Sequence, residues 1–232
     1  MAPKRGEHIA LPPRRRVSAS PRQRPASVLS RSLLAALSAA SLFVLAGCAS
    51  HCPRADYGNQ AIFEQQEVYI SGTGGYHTYR IPSLIVTARG TVLAFCEGRR
   101  NSASDTGDID ILLRRSTDLG ASWGPTHVVA DHGPDTIGNP CPVVDRRTGT
   151  IWLLMTGNLG TDNERQIKER TSENSRTVWV CHSRDDGLTW SEPEEITAAV
   201  KNPDWTWYAT GPGCGIQLRS GRMVIPCDHV AG

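Results

Sequence analysis

Alternation of apolar and polar residues, rather than a helical period, is the dominant pattern of this chain. It is clear over residues 109–115 and again over residues 177–182. Successive side chains of a strand point to opposite faces of a sheet, so this pattern predicts strands. No long stretch has a sustained helical period, and 22 Gly and 15 Pro among 232 residues are typical of a protein rich in turns. The sequence therefore predicts an all-β fold.

Each of these two predicted strands leads into a copy of one turn motif, Ser-x-Asp-x-Gly-x-Ser/Thr-Trp. The copies, called Asp boxes below, occupy residues 116–123 and 183–190. We expect the Asp to accept hydrogen bonds from backbone amides two residues on, the Gly to supply a positive φ, and the Trp to anchor the turn. An Asp engaged by its own turn is not available to a substrate. The motif therefore marks a repeated structural unit, not a catalytic site.

The N-terminal part has the pattern of an export signal. A basic segment leads into an apolar run over residues 33–47, which is short for a membrane-spanning helix. The run ends in Leu-Ala-Gly followed by Cys48, and this ending resembles the lipobox of bacterial lipoproteins. It predicts lipidation of Cys48, with a plain secretory signal as the alternative.

The expected product is an exported bacterial lipoprotein of the cell envelope, periplasmic or on the outer-membrane surface, which contacts the membrane through its lipid anchor only. The predicted organisation is a basic region with a lipoprotein-type signal peptide over residues 1–48, a short linker over 49–65 and the folded domain over 66–232.

Charge and metal-ligand spacing exclude several classes of function. The formal net charge is +2, but basic residues are concentrated near the N-terminus and the rest of the chain is mildly acidic. A nucleic-acid surface needs clustered positive charge on the folded part, so no nucleic-acid partner is expected. The Cys and His residues show no metal-ligand spacing, so no metal and no cofactor is predicted.

An arginine inside an apolar strand is the best candidate for chemistry. Arg80 lies in segment 79–86, which is otherwise largely apolar. A guanidinium placed there needs an anionic partner, and its planar fork matches a carboxylate. Arg99 ends the next predicted strand, and a polar loop containing Asp105 follows. Two guanidinium groups are thus expected to approach one mouth. On composition alone, Arg80 paired with Glu97 and a merely solvated Asp105 stay open.

Together these residues resemble the exo-α-sialidases (neuraminidases) of the six-bladed β-propeller superfamily. The resemblance covers about residues 66–232. It rests on the two Asp boxes and on four further segments: Tyr79-Arg80-Ile81-Pro82, Glu97-Gly98-Arg99 with Asp105 six residues beyond, Asn139-Pro140-Cys141-Pro142, and Gly211-Pro212-Gly213.

The resemblance implies a role for each matching residue. Arg80 resembles the first member of the arginine triad that binds the sugar carboxylate, and Asp105 resembles the general acid/base. Arg99 is similar to the pocket arginine that contacts ring substituents, and Asn139 lies where the family lines the acetamido pocket. A carboxylate nucleophile would be repelled by the carboxylate of sialic acid, and the family uses a Tyr nucleophile instead.

The resemblance also implies residues that this sequence does not match. The nucleophilic Tyr, the Glu that activates it and the second and third arginines come from later blades, and Tyr208 is not a match for the nucleophile. At about 40 to 50 residues per blade, the chain is expected to hold about the first four blades, as an N-terminal fragment that is inactive alone.

The predicted function is that of a retaining glycoside hydrolase, an exo-α-sialidase that releases terminal sialic acid from glycoproteins, glycolipids or oligosaccharides. The alternative is a noncatalytic propeller that binds an acidic carbohydrate through Arg80 and Arg99. A third hypothesis is an Asp-box propeller with a structural role and an unrelated ligand.

Overall fold

The computed structural model describes residues 65–231, which begin with a four-stranded antiparallel blade. Its strands follow one another in chain order: β1 (Thr78–Val86), β2 (Val92–Arg99), β3 (Ile109–Ser116) and β4 (His127–Ala130). The strand predicted over residues 109–115 is therefore confirmed as β3. This first blade carries β1 on its inner edge and the short β4 on its outer edge.

A second blade repeats this plan. Its strands are β5 (Thr136–Val144), β6 (Ile151–Asn158), β7 (Thr177–Ser183) and the two-residue β8 (Glu194–Glu195). A one-turn helix, α1 (Glu164–Lys168), lies in the connection between β6 and β7. The backbone link to the first blade is a single parallel pair, in which Ile109 of β3 faces Thr136 of β5.

A third unit starts after the short helix α2 (Thr197–Val200). It contains two antiparallel pairs, β9 (Trp205–Thr210) with β12 (Cys227–Ala231) and β10 (Ile216–Gln217) with β11 (Met223–Val224). Because β9 pairs with β12 and β10 pairs with β11, β9 and β10 are consecutive parts of one strand and β11 and β12 are consecutive parts of its antiparallel neighbour. These four segments therefore form the first two strands of a blade, each interrupted once.

The expected number of about four blades is wrong for the described residues, which hold two complete blades and two strands of a third. The inner strands β1, β5 and β9 begin at Thr78, Thr136 and Trp205, so each unit takes about 60 residues or more, against about 40 to 50 in compact blades. The long connections, above all the one between β6 and β7, account for the difference.

The inner strand of each unit is interrupted just before a proline. The antiparallel register shifts between Arg80 and Ser83 in β1 and between Gly138 and Cys141 in β5. The residue preceding each proline has a positive φ, 52° at Ile81, 56° at Asn139 and 71° at Gly211. A β-branched residue rarely adopts this conformation, so surrounding structure must hold Ile81 in it. We call these three sites the pre-proline bulges.

The pre-proline bulges lie close to one another. The Ser83 hydroxyl donates to the Gly213 carbonyl oxygen at 2.9 Å, and the Thr210 hydroxyl donates to the Asn139 carbonyl oxygen at 2.7 Å. Both bonds connect residues more than 70 positions apart in the chain. The three inner strands therefore converge where the sequence places Arg80 and Asn139.

The hydrophobic core lies between the first two blades. It is built mainly from residues of β2, β3, β5 and β6, with contributions from β1, β4 and β7, and Trp190 of the second Asp box packs against it, with its ring 5.7 Å from that of Phe95. Its fully buried members include Leu93, Phe95, Ile111, Leu113, Ile137, Ile151, Leu153 and Met155. Burial of this apolar surface is the main force that holds the blades together.

Both Asp boxes connect the third and fourth strands of their blades. In the first, Asp118 accepts hydrogen bonds from the Ser116 hydroxyl and from the amide and hydroxyl of Ser122. The amide two residues beyond the Asp belongs to Gly120 and donates to Ser116 instead. The expected Asp-to-amide bond is therefore wrong in register: the amide two residues on donates to the hydroxyl of the leading Ser, and the Asp accepts from the amide four residues on.

The predicted signal peptide, linker and lipidation at Cys48 lie outside the described residues and stay predictions. Within residues 65–231 no helix is long and apolar enough to span a bilayer.

Candidate functional site

The pairing of β1 with β2 brings the predicted site residues to one edge of the first blade. Arg80 near the start of β1 faces Glu97 near the end of β2, and Thr78 faces Arg99. Antiparallel strands place the beginning of one beside the end of the other, so residues 17 and 21 positions apart become neighbours. The loop from β2 to β3 starts at the same edge.

That loop carries Asp105 back over the two arginines. Its Oδ1 lies 2.8 Å from Arg80 Nη1 and 2.7 Å from Arg99 Nη2. The side chain of Arg99 is 3% exposed, whereas those of Arg80 and Asp105 are 45% and 68% exposed. A carboxylate thus bridges two guanidinium groups at a surface that an anionic ligand is able to reach.

Arg99 organises the base of the site. Its Nε and Nη2 donate to Glu97 Oε2 at 3.1 and 2.6 Å, and its Nη1 donates to the carbonyl oxygens of Ala103 and Ser104, both at 2.8 Å. Four charge-assisted hydrogen bonds fix this guanidinium in place. The open alternative of an Arg80–Glu97 pair is wrong, because Glu97 is engaged by Arg99 and Arg80 is paired with Asp105.

Glu97 also connects the first blade to the pre-proline bulge of the second. Its Oε1 accepts a hydrogen bond from the backbone amide of Asn139 at 2.9 Å. A Cβ on Gly138 would lie 2.5 Å from the same oxygen, so only Gly lets the strand approach this closely. The buried Glu97 therefore holds Arg99 with one oxygen and Asn139 with the other.

The Asn139 side chain belongs to a second polar group of the site. Its Oδ1 accepts hydrogen bonds from Thr156 Oγ1 at 3.1 Å and from Arg176 Nη2 at 2.5 Å. Arg176 also donates to Asn158 Oδ1 at 2.7 Å, and its guanidinium lies 4.1 Å from the centre of the Trp207 ring. The structure thus brings together all four predicted site residues. Asp105 contacts Arg80 and Arg99 directly, and Glu97 connects Arg99 to Asn139.

Arg176 is the site residue that the sequence analysis missed. It is almost completely buried, and burial lowers its pKa to about 10, although the charges of Glu97 and more distant acids partly oppose the shift. Its Nε has no hydrogen-bond partner among the described residues. The sequence signal was the same as for Arg80, because Arg176 directly precedes the apolar strand β7.

Comparison with known proteins identifies the family. The model of the BNR repeat-like domain matches residues 90–232. An exo-alpha-sialidase of Aspergillus fumigatus is 39% identical over 169 residues, covering 66% of this chain and 41% of that protein. This chain belongs to the exo-α-sialidase superfamily of BNR-repeat β-propellers. Human Sialidase-4 is 40% identical over 162 residues, covering 64% of this chain and 32% of that protein.

A solved structure supports the same family. The Hadza microbial sialidase Hz136 superposes with a TM-score of 0.64 at 34% identity, covering 69% of this chain and 34% of that one. The chain spans about two fifths or less of the length of each of these sialidase relatives.

Proposed function

We propose that this chain contributes the carboxylate-binding edge and the general acid/base of an exo-α-sialidase active site. The observation that carries the proposal is Asp105 held between Arg80 and Arg99 at an exposed edge. The substrates would be terminal sialic acids on glycoproteins, glycolipids or oligosaccharides, and the reaction would retain configuration.

The ion pair supplies a binding step. A sugar carboxylate is an anion of the same kind as Asp105, so it competes with Asp105 for Arg80, which offers a bidentate fork. Arg99 stays in place because Glu97 and two backbone carbonyls hold it. Occupation of Arg80 by the ligand therefore removes one of the two arginine contacts of Asp105 and leaves it beside Arg99, on a loop next to the bound sugar.

The chemical steps follow from this placement. Asp105 in its acid form donates a proton to the glycosidic oxygen as the bond to the anomeric carbon breaks, while a Tyr oxygen bonds to that carbon and passes its proton to the activating Glu. Asp105, now ionised, then takes a proton from water, whose oxygen replaces the Tyr oxygen as the Glu returns the proton to the Tyr. Asp105 is exposed in the structure, so the bound sugar itself must exclude water for efficient acid catalysis. The Tyr and the Glu that activates it are expected outside this sequence.

Asn139 would recognise the N-acyl group of the sugar. Its side-chain oxygen is engaged by Arg176 and Thr156, which orients the amide. The Asn139 nitrogen then faces away from these donors and is free to donate to an acyl oxygen. Loss of Arg176 would leave the Asn139 amide without a fixed orientation.

Variants with two kinds of substrate test the proposal in the full product of the gene. Aryl sialosides have a leaving group that departs without protonation, whereas natural sialosides need the acid. We expect Asp105→Ala to lower kcat about 100-fold or more on a natural sialoside and much less on an aryl sialoside. Arg80→Ala should raise KM for the natural and for the aryl sialoside, because both substrates carry the carboxylate that Arg80 binds. Arg147→Ala, at an arginine whose side chain is 84% exposed, is the control.

Equal activity of wild type and both site variants would show that Arg80 and Asp105 do not form the site. A protein that binds sialic acid without turnover would favour the noncatalytic carbohydrate-binding alternative, because the exposed Arg80 beside the buried Arg99 is sufficient for binding an anion. Removal of Arg80 would abolish that binding as well.

The cellular location is part of the same proposal. We infer that Cys48 is lipidated and that the protein is anchored at the cell envelope, since the residues preceding Cys48 resemble a lipobox. Metabolic labelling with a palmitate analogue should mark the wild type and not Cys48→Ala. Equal labelling, or a soluble exported wild type, would leave the plain secretory signal as the better interpretation.

A further inference from the structure

A second charged cluster lies at the base of the loop that carries Asp105. Arg100 Nε is 3.0 Å from Asp108 Oδ1, and Arg100 Nη2 is 2.8 Å from Asp110 Oδ2 and 3.8 Å from Asp131 Oδ2. The Arg100 amide donates to the Asp108 carbonyl oxygen at 3.1 Å. The backbone and the side chain of Arg100 thus both contact Asp108, and these two residues flank the loop of residues 101–107.

The ring and the hydroxyl of Tyr76 contact this cluster. Tyr76 donates its hydroxyl proton to Asp110 Oδ2 at 2.6 Å, and its ring lies 4.9 Å from the Arg100 guanidinium carbon. A Cβ on Gly98 would lie 2.8 Å from ring atoms of Tyr76, so Gly98 makes room for the ring. Asp110 is completely buried, which fixes the anion that Arg100 contacts.

We propose that Arg100 is a positioning residue, which closes the base of the 101–107 loop and so keeps Asp105 in front of Arg80 and Arg99. Within the described residues the Asp105 side chain is held by those two arginines alone. A ligand carboxylate that occupies Arg80 removes one of these contacts. The loop then depends on the bonds from Arg99 to Ala103 and Ser104, on the hydrogen bond from the Thr136 hydroxyl to the Gly107 carbonyl oxygen at 2.8 Å, and on the Arg100 cluster. The catalytic consequence rests on the proposed sialidase function.

The charge of the cluster makes the loop sensitive to pH. Burial raises the pKa of Asp110 to about 6, and the neighbouring Asp131 and Asp108 add to the shift, whereas the Tyr76 hydrogen bond and Arg100 oppose it. Asp110 therefore gains a proton as the pH falls from 7 to 5. Arg100 keeps Asp108 and Asp131 but loses the charge of its buried partner, so the loop base weakens.

Hydrogen–deuterium exchange measures the order of the loop without reference to activity. We expect Arg100→Ala, in the full gene product, to speed amide exchange within residues 101–107 at least about tenfold, with Arg100→Lys between wild type and Ala. Arg147→Ala, with the same change at a highly exposed site, should leave the loop unchanged. Asp110→Asn should remove the extra loosening that wild type shows at pH 5 relative to pH 7. Unchanged loop exchange in a folded Arg100→Ala protein overturns the proposal.

Kinetics separate the positioning role from a purely structural one. Displacement of the acid should lower kcat for a natural sialoside several-fold more than kcat for an aryl sialoside, with little change in KM, and Arg100→Lys should restore part of the loss. Faster loop exchange with unchanged kcat overturns the role in positioning. Faster loop exchange in a protein whose wild type hydrolyses no sialoside contradicts the sialidase proposal, while the effect of Arg100 on the loop stands.

Discussion

The two Asp boxes have the same internal hydrogen bonds in different surroundings. In the second, Asp185 accepts from the Ser183 hydroxyl and from the amide and hydroxyl of Thr189, as Asp118 does from its own neighbours. The residue after each Asp has a positive φ, 60° at Leu119 and 66° at Asp186. Leu119 is 83% exposed, whereas Asp186 is buried. The turn is therefore specified locally, and its fourth position is left for other contacts.

The second box uses that position to connect the two blades. Asp186 Oδ2 accepts from the Thr91 hydroxyl at 2.5 Å and from Arg115 Nη2 at 3.3 Å, and its carbonyl oxygen accepts from Arg115 Nε at 3.0 Å. Thr91 and Arg115 both belong to the first blade. One motif thus serves as a turn in the first blade and as a turn and an interblade contact in the second.

The largest effect is expected from removing the interblade contact. Asp186→Ala deletes the buried carboxylate and leaves Arg115 and Thr91 without their partner, which should lower the free energy of unfolding by about 3 kcal/mol. Leu119→Ala at the matching position is the control and should change it little. Urea denaturation of the three proteins measures the difference. Equal stability of the two variants would mean that Asp186 does not hold the blades together.

Removal of the central carboxylate of a box should have the next largest effect. Asp185→Ala deletes three hydrogen bonds within the turn, so a loss of roughly 2 kcal/mol is expected. Asp118→Ala should act in the same direction but less strongly, since the first box is more exposed and contacts no preceding blade in the described residues. Urea denaturation again provides the measurement. A larger loss from Asp118→Ala than from Asp185→Ala would contradict the comparison.

What the sequence could predict follows from how far apart the interacting residues are. The boxes were predictable because their hydrogen bonds join residues at most four positions apart, and the strands leading into them because the alternation of side chains is visible without knowing the partner strand. Arg80, Arg99 and Asp105 were predicted to belong to one site, but which acid pairs with which arginine depends on the register of β1 and β2 and on the path of the loop that follows β2. Arg176 has the same local signal as Arg80, but its contact with Asn139 was not predictable because the two residues are 37 positions apart.

Asp185 and Asp110 have carboxylates in opposite environments, and we expect this difference to appear in the pH dependence of the free energy of unfolding. Burial alone would raise the pKa of Asp185, but the hydrogen bonds of its turn outweigh burial and lower it to about 2. Its stabilising contribution is therefore complete above about pH 4 and is lost as the pH falls to 2. Asp110, with a pKa raised to about 6, binds its proton more tightly when folded, so its contribution decreases as the pH rises from 4 to 6.

Thermal unfolding from pH 2 to 7 tests both signs. Asp110→Asn should flatten the profile between pH 4 and 6, and Asp185→Asn should flatten it between pH 2 and 4, each by a few degrees of Tm. The other half of the profile should be unchanged in each variant, which makes each one the control for the other. A difference in Tm between wild type and Asp110→Asn that shifts in favour of the wild type as the pH rises from 4 to 6 would contradict the sign assigned to Asp110.

The smallest effect, and the only stabilising one, is expected at Leu119. A left-handed conformation destabilises a residue other than Gly by roughly 1 to 2 kcal/mol, and a Gly at this position removes that strain. Gly also increases the conformational entropy of the unfolded chain, which offsets part of the gain in stability. Leu119→Gly should therefore raise the free energy of unfolding by about 0.5 kcal/mol. Asp186→Gly relieves the same conformation but loses the contacts to Arg115 and Thr91, so it should destabilise the protein. If both glycine variants shift the urea midpoint in the same direction, backbone conformation rather than interblade contact governs the fourth position of the box.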